Sequence, residues 1–248
     1  MPLVLVHGNP ETAAVWEDFT PFLEVDEVIC LSPPGFGAPI PDDFTCTFDA
    51  YRDWLSDELE KLQQPVDLMG HDWGGIHVLR IAMERPDLIR SWITDVPGVY
   101  DPDYAWHQHA QGWQQPGIGE KMVAGMTAVP AQQLAKQYES VGMSAAVAEK
   151  VAMGANDDMG RAILSLYRSA AQPALKDVGE GLENAASNPG LAIIATEDIY
   201  AGGETLARRA AQRANADVSV FEGLGHWWMC QDPEPVAQAV NSFLKNLG

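Results

Sequence analysis

The sequence is poor in basic residues, in cysteine and in long apolar runs. Its 248 residues include 15 Lys or Arg against 35 Asp or Glu, which gives a net charge of −20. Such a surface repels phosphate groups, so we expect neither nucleic acid nor a membrane as a partner. Three irregularly spaced cysteines (Cys30, Cys46 and Cys230) indicate reduced thiols and exclude a disulfide framework or cysteine metal site. No run approaches the ~20 apolar residues of a membrane span. A strand pattern begins already at Leu3, too early for a signal peptide, so we predict a cytoplasmic protein.

Short apolar runs alternate along the chain with helical patterns. This alternation predicts an α/β fold, with about six mainly parallel strands and helices on both faces of the sheet. The predicted strands are Leu3–Val6, Glu27–Leu31, Val66–Met69, Ser91–Asp95, Leu191–Ala195 and Val218–Phe221. The clearest helical patterns are Phe48–Leu62, Ile76–Glu84 and the segment that starts near Asp232.

The fourth and fifth predicted strands lie far apart in the sequence. Connections in α/β units are usually about 2–6 residues long, and this one is many times longer. It is rich in Trp, His and Gln at first and in Ala and Met later, with helical patterns throughout. We therefore predict an inserted helical cap over residues 99–188, on a core formed by residues 1–98 and 189–248.

The segment Gly70-His71-Asp72-Trp73-Gly74-Gly75 lies between a predicted strand and a helix. Small residues two before and two after its centre are typical of a nucleophile elbow, in which a sharp turn displays one side chain. The usual occupant is Ser, and here it is Asp72. A carboxylate attacks saturated carbon to give an alkyl ester, so it indicates substrates with a carbon–halogen bond or a strained carbon–oxygen bond.

Two further predicted strand ends carry candidate groups for the same site. In His7-Gly8-Asn9-Pro10 the backbone N–H of Asn9, together with that of Trp73, forms a candidate oxyanion hole. In Gly223-Leu224-Gly225-His226 the histidine lies in a glycine-rich loop and is the candidate general base.

A general base of this kind needs a carboxylate that orients its ring. Asp198 follows the fifth predicted strand and is our first choice for this acid. Asp95, at the end of the fourth predicted strand, is the alternative.

The order of these motifs resembles the α/β-hydrolase fold, and specifically its Asp-nucleophile branch of epoxide hydrolases and haloalkane dehalogenases. The resemblance covers essentially the whole chain, and we expect six parallel strands without the two antiparallel strands that normally precede the His-Gly strand. It implies a reaction of a small apolar substrate with water and needs no metal or other cofactor. It leaves open whether the protein is a homodimer.

The two subfamilies differ in how they stabilise the leaving group. Epoxide hydrolases use two cap tyrosines, and Ser165-Leu166-Tyr167-Arg168 resembles the segment that carries the second of them. At the expected position of the first tyrosine, before Gln115-Pro116, the sequence has His109. Haloalkane dehalogenases hold the halide with the Trp after the nucleophile and often with an Asn in the HGNP loop, which implies Trp73 and Asn9 here.

We expect hydrolysis of small apolar epoxides to diols through an ester on Asp72. A haloalkane dehalogenase is the alternative enzyme, and a ligand-binding homologue without catalysis is the alternative from another class. The expected pocket residues are His109, Trp106, Trp113, Phe36 and Trp227.

Overall fold

The computed structural model describes residues 1–248 and contains one six-stranded parallel sheet. The strands lie in the order β2-β1-β3-β4-β5-β6. Their bounds are β1 Leu3–Val6, β2 Val28–Leu31, β3 Val66–Gly70, β4 Ile89–Thr94, β5 Gly190–Ala195 and β6 Asp217–Phe221. All six predicted strands are present, and the predicted fold class is confirmed.

Alternate side chains of each central strand point to opposite faces of the sheet, and apolar residues occupy both faces. In β1, Val4 and Val6 belong to one buried cluster, while Leu3 and Leu5 belong to the other. A strand that is buried on both sides needs a continuous apolar run, which explains why the pattern in β1, β3 and β5 does not alternate with polar residues.

Five helices accompany the strands outside the cap segment. They are α1 Phe48–Lys61, α2 Trp73–Glu84, α9 Gly203–Arg213, α10 Trp228–Gln231 and α11 Pro233–Asn246. Helices α1 and α2 pack on the side of Val4 and Val6, and α11 packs on the side of Leu3 and Leu5. Helix α2 begins three residues earlier than the predicted Ile76, because Gly74 and Gly75 of the elbow are already helical.

Six further helices lie between β4 and β5, in the segment predicted to form a cap. They are α3 Gln108–Gln114, α4 Ile118–Thr127, α5 Ala131–Ser140, α6 Ala145–Met153, α7 Asp157–Ser169 and α8 Ala174–Gly179. The apolar stripe of α7 is buried, and it includes Ile163, Leu166 and Tyr167. None of the helices has the combination of length and apolar character that crossing a membrane requires.

Candidate active site

The turn between β3 and α2 places Asp72 at the carboxyl edge of the sheet. Its backbone has φ 51° and ψ −125°, a conformation that is unusual for a residue with a side chain. Glycine is required on both sides of it. A Cβ on Gly70 would lie 2.4 Å from the backbone of Gly74, and a Cβ on Gly74 would lie 2.0 Å from the carbonyl oxygen of Val6. The sequence therefore folds here into the predicted elbow.

The Asp72 carboxylate accepts a backbone hydrogen bond and faces a cavity. The backbone N–H of Asn9 donates to its Oδ1 at 3.0 Å, while the backbone N–H of Asp72 itself donates to Asp95 Oδ1 at 3.2 Å. Burial raises the pKa of Asp72 to about 6, with His226 and His71 opposing the shift. The side chain is thus ionised at neutral pH and accepts few hydrogen bonds, as a nucleophile should.

His226 lies between Asp72 and Asp198. Its Nδ1–H donates to Asp198 Oδ2 at 2.9 Å, and its Nε2 lies 3.8 Å from Asp72 Oδ2. The other carboxylate oxygen of Asp198 accepts the backbone N–H of Tyr200 at 2.7 Å. Burial alone would lower the pKa of His226, but the Asp198 carboxylate outweighs it and the pKa is raised. The structure pairs the candidate base with Asp198.

The alternative acid, Asp95, makes no contact with His226. Its Oδ2 accepts from His71 Nδ1 at 2.5 Å and from Trp228 Nε1 at 2.7 Å. It therefore lies behind the elbow, and of the two candidate acids the hydrogen bond of His226 goes to Asp198.

A cavity of about 370 Å³ opens above Asp72 and His226. This volume lies in the lower part of the range of small-molecule sites, about 300–1,000 Å³. Of the predicted pocket residues, His109, Trp113 and Trp227 line it, together with Asn9 and Tyr167. The remaining wall is mostly apolar and includes Met122, Met126, Leu134 and Val141.

Two predicted pocket residues, Phe36 and Trp106, do not line the cavity. Phe36 is buried against Tyr51, with ring centroids 5.9 Å apart. Trp106 stacks on Trp73 at 5.5 Å and donates its indole N–H to the carbonyl of Ala170. Both are core residues, because an aromatic side chain near a site packs as readily against the core as against a ligand.

The hydroxyl of Tyr167 lies beside the two predicted leaving-group donors. Asn9 Nδ2 donates to Tyr167 Oη at 3.5 Å, and the Trp73 ring meets the Tyr167 ring edge-on with centroids 5.1 Å apart. Burial and the Asp72 carboxylate raise the pKa of Tyr167 well above its usual range, while the side chains of Asn9 and Trp73 oppose the shift. The phenol is therefore protonated, and its proton has no acceptor within the protein.

Glu11 and His71, to which the sequence analysis assigned no role, form a buried cluster with Asp95 behind the elbow. We call Glu11, His71 and Asp95 the His71 cluster. His71 Nε2 donates to Glu11 Oε1 at 3.1 Å, and the opposite ring nitrogen is bonded to Asp95. Trp227 Nε1 also donates to Glu11 Oε1, at 2.6 Å. One signal in the sequence could have revealed this cluster, namely the position of Glu11 in the oxyanion loop. An acidic residue that is buried beside a site is seldom without a partner, so Glu11 predicts a nearby donor.

Tyr200, His107 and Tyr138 also line the cavity and were not predicted. The Tyr200 ring contacts His226 with centroids 4.9 Å apart. Their positions depend on loop and cap geometry, which no periodicity in the sequence reveals.

One grouping of side chains, Glu11, His71 and His226, brings three potential metal-ligating atoms within 4.8 Å of one another. These side chains are already engaged. Glu11 Oε1 accepts two N–H groups, both ring nitrogens of His71 are bonded, and His226 is bonded to Asp198. We identify none of them as metal ligands.

A parallel sheet with an elbow after its third strand, an oxyanion loop after its first and a His–Asp pair after its last two defines an α/β-hydrolase. The model of the alpha/beta hydrolase family matches residues 3–239, and the chain belongs to this family. It is 25% identical over 250 residues to the (E)-2-((N-methylformamido)methylene)succinate hydrolase of Acinetobacter baylyi. This alignment covers 98% of this chain and 90% of that protein. A haloalkane dehalogenase of Psychrobacter cryohalolentis is 28% identical over 119 residues, 46% of this chain and 39% of that one.

Solved structures with the same fold include proteins named for both predicted subfamilies. A variant of a proposed epoxide hydrolase from Pseudomonas aeruginosa has a TM-score of 0.81 and 19% identity, over 99% of this chain and 88% of that one. The haloalkane dehalogenase DbeA from Bradyrhizobium elkani has a TM-score of 0.76 and 20% identity, over 99% and 90%. At these identities the similarity shows the fold, and the reaction has to be argued from the site.

Proposed function

We propose that the protein hydrolyses a small apolar epoxide to a diol through an ester on Asp72. The observation that carries the proposal is the position of the Tyr167 hydroxyl. It is protonated, lies within reach of Asn9 Nδ2 and faces the cavity beside the nucleophile. An epoxide oxygen needs a proton as the ring opens, and this hydroxyl has one to give.

In the first step, Asp72 Oδ2 forms a bond to a ring carbon and the bond from that carbon to the epoxide oxygen breaks. Oδ2 is the free oxygen, since Oδ1 is held by the Asn9 N–H. The departing oxygen takes the proton of Tyr167 and becomes the first hydroxyl of the diol. The apolar walls keep water away during the attack, which strengthens the electrostatic interactions in the site.

In the second step, water attacks Cγ of Asp72 while His226 Nε2 takes a proton from it. Negative charge develops on Oδ1, which already accepts the Asn9 N–H. Asp198 stabilises the imidazolium of His226 across the 2.9 Å hydrogen bond. When the tetrahedral intermediate collapses, the proton passes from His226 to the departing alkoxide, and the phenolate of Tyr167 regains a proton as Asp72 ionises.

Haloalkane dehalogenation remains the second candidate because of one observation. Trp73 Nε1 is buried and has no hydrogen-bond partner, and Asn9 Nδ2 points to the same region, so two N–H donors are available for a halide. The Tyr167 hydroxyl occupies that region, and a halide would have to displace it.

The test uses a His226→Gln variant, which stops the second step and traps the ester. The variant is incubated separately with a panel of epoxides and a panel of bromoalkanes, and its intact mass and the peptide containing Asp72 are measured. A gain of the full epoxide mass on Asp72 supports the proposal. A bromoalkane adduct with loss of HBr, and no epoxide adduct, would instead favour dehalogenation.

A second substitution in the trapped protein separates the two reactions. Tyr167→Phe should lower the rate of epoxide adduct formation by about 10²–10⁴-fold, the usual contribution of a general acid. Tyr104→Phe is the matched control, because Tyr104 is buried nearby but donates to the carbonyl of Tyr200. If neither panel gives an adduct although ligands bind, the non-catalytic interpretation gains support.

A further inference from the structure

The hydrogen bonds of the His71 cluster fix the charge of its members. Both ring nitrogens of His71 face carboxylate oxygens, Nδ1 toward Asp95 Oδ2 at 2.5 Å and Nε2 toward Glu11 Oε1 at 3.1 Å. A neutral imidazole has a proton on one nitrogen only, so it satisfies one such acceptor and repels the other. Two bonds to two acceptors require an imidazolium, unless one of the carboxyls is itself protonated.

The remaining bonds of the carboxylates argue against a protonated carboxyl. Glu11 Oε1 also accepts the indole N–H of Trp227, and Glu11 Oε2 accepts the backbone N–H of Gly8 at 3.3 Å. The Asp95 oxygens accept the N–H of Trp228 and of Asp72. Each of the four carboxylate oxygens accepts an N–H, and hydrogen bonds donated to a carboxylate favour its ionised form, so the proton of each bond to His71 lies on the ring. The cluster is a buried cation between two anions.

This cation lies next to both groups that do the chemistry. His71 directly precedes Asp72 in the chain, and its ring is 4.5 Å from the ring of His226, centroid to centroid. His71 and Glu11 are fully buried and Asp95 nearly so, which means that water screens these charges little. The other titratable groups that face His71 or His226 from the surrounding loops are His7, Asp198, His107, Tyr200 and Cys230.

We propose that His71 is a positioning residue that stays protonated between Glu11 and Asp95 and, through its charge, favours the neutral form of His226 and the ionised form of Asp72. The proposal deepens the proposed function, since it assumes the roles given there to His226 and Asp72. An imidazolium beside His226 disfavours a second positive charge and so opposes the effect of Asp198, which leaves more of the base free to accept a proton from water. The same imidazolium favours the anion of Asp72.

The directions of the pKa shifts agree with this geometry. Burial alone would lower the pKa of His71, but Asp95 and Glu11 outweigh it and the pKa is well above its usual range. Burial would raise the pKa of Glu11, yet His71 lowers it to about 2. His71 lowers the pKa of both His226 and Asp72.

Two nearly isosteric substitutions should move the pKa of His226 in opposite directions. His71→Gln removes the cation and should raise it by about one unit, which is the usual effect of one charge in close contact. Glu11→Gln removes an anion and should lower it, with His71 still paired to Asp95. Loss of packing alone would not give shifts of opposite sign. Trp228→Phe is the matched control, because it removes an N–H donor from Asp95 and leaves every charge in place.

The measurement is a titration of the histidine ring signals by long-range ¹H–¹⁵N NMR spectroscopy from pH 5 to 9. It uses the wild-type protein and the three variants without substrate, so that its result does not depend on whether the proposed reaction is correct. We expect His71 to remain protonated throughout in the wild type, and His226 to shift upward in His71→Gln and downward in Glu11→Gln. A His71 signal that titrates near pH 6.5 would overturn the proposal even if His71→Gln fails to fold. Shifts of one sign in both variants, or an equal shift in Trp228→Phe, would also overturn it.

Discussion

Replacement of Asp72 by Asn should make the protein more stable while abolishing its reaction. Burial raises the pKa of this carboxyl from 3.8 to about 6 in the folded state. At neutral pH the Asp72 carboxylate is therefore charged in both states, and water solvates this charge better in the unfolded chain, which lowers the free energy of unfolding. A shift of about 2 units at about 1.4 kcal/mol per unit corresponds to about 3 kcal/mol. Since the side chain is 15% exposed, this value is an upper limit.

The effect has a definite pH dependence. Below pH 3.8 the carboxyl is protonated in both states and has no effect of its own on the stability of the wild type. Between pH 3.8 and 6 the unfolded chain ionises first, so the wild type loses stability relative to Asp72→Asn as the pH rises. Above pH 6 the loss is complete. Roughly half of it, about 1.4 kcal/mol, falls between pH 5 and 8.

Urea unfolding of both proteins at pH 5 and pH 8 measures this difference directly. The same pair in a His226→Gln background should show a larger difference, because His226 opposes the rise in the pKa of Asp72. A stability difference that is the same at both pH values would refute the argument that burial of the charge destabilises the fold. A less stable Asp72→Asn protein at pH 8 would refute it as well.

Three further outcomes follow from the site. In the His226→Gln protein, which traps the ester, Gly8→Ala should abolish adduct formation because its Cβ would lie 2.1 Å from Asp72 Oδ1. Gly125→Ala is the control, since its Cβ would have no atom within 4 Å, and it should leave the rate unchanged. Intact mass after exposure to an epoxide measures both. Asp198→Asn should slow hydrolysis of the ester by about 10⁴-fold. It should also move the acidic limb of the pH–rate profile for this hydrolysis to lower pH, since Asp198 raises the pKa of His226. Stopped-flow measurement of ester decay at several pH values tests this, and an unchanged acidic limb would contradict it. The rate of ester formation should fall below about pH 6 as Asp72 becomes protonated, and a rate that is independent of pH down to pH 4 would exclude Asp72 as the ionised nucleophile.

The sheet was predictable because its strands are buried on both faces and bounded by turn residues. Each predicted strand matched within one or two residues. The largest difference is in β4, which begins at Ile89 instead of Ser91. The partly buried Arg90 side chain interrupts the apolar run there, and Asp67 of the neighbouring strand pairs with it.

The individual site residues were predictable where backbone geometry dictates them. Glycines that permit the elbow point to Asp72, and the strand-end positions point to Asn9, Asp198 and His226. Residues placed by the cap were not predictable in this way. Tyr167 and Trp106 both lie near Trp73, yet the first lines the cavity and the second does not, because the packing of α7 and of the loop before α3 decides the direction of each side chain.

The His71 cluster has a consequence for how this chain tolerates insertions and deletions. Three of the residues proposed to act in the reaction lie one or two positions in the chain from a member or a hydrogen-bond partner of the cluster: Asn9 from Glu11, Asp72 from His71, and His226 from Trp227 and Trp228. Surface loops usually absorb length changes without harm. Here, one residue more or less between a reacting group and its anchor would move one of them out of place. We therefore expect these loops at the carboxyl edge of the sheet to be constrained in length as strictly as the strands they follow. Changes that alter which substrates the cavity accepts are then expected in the helices of the cap, which supply much of its wall.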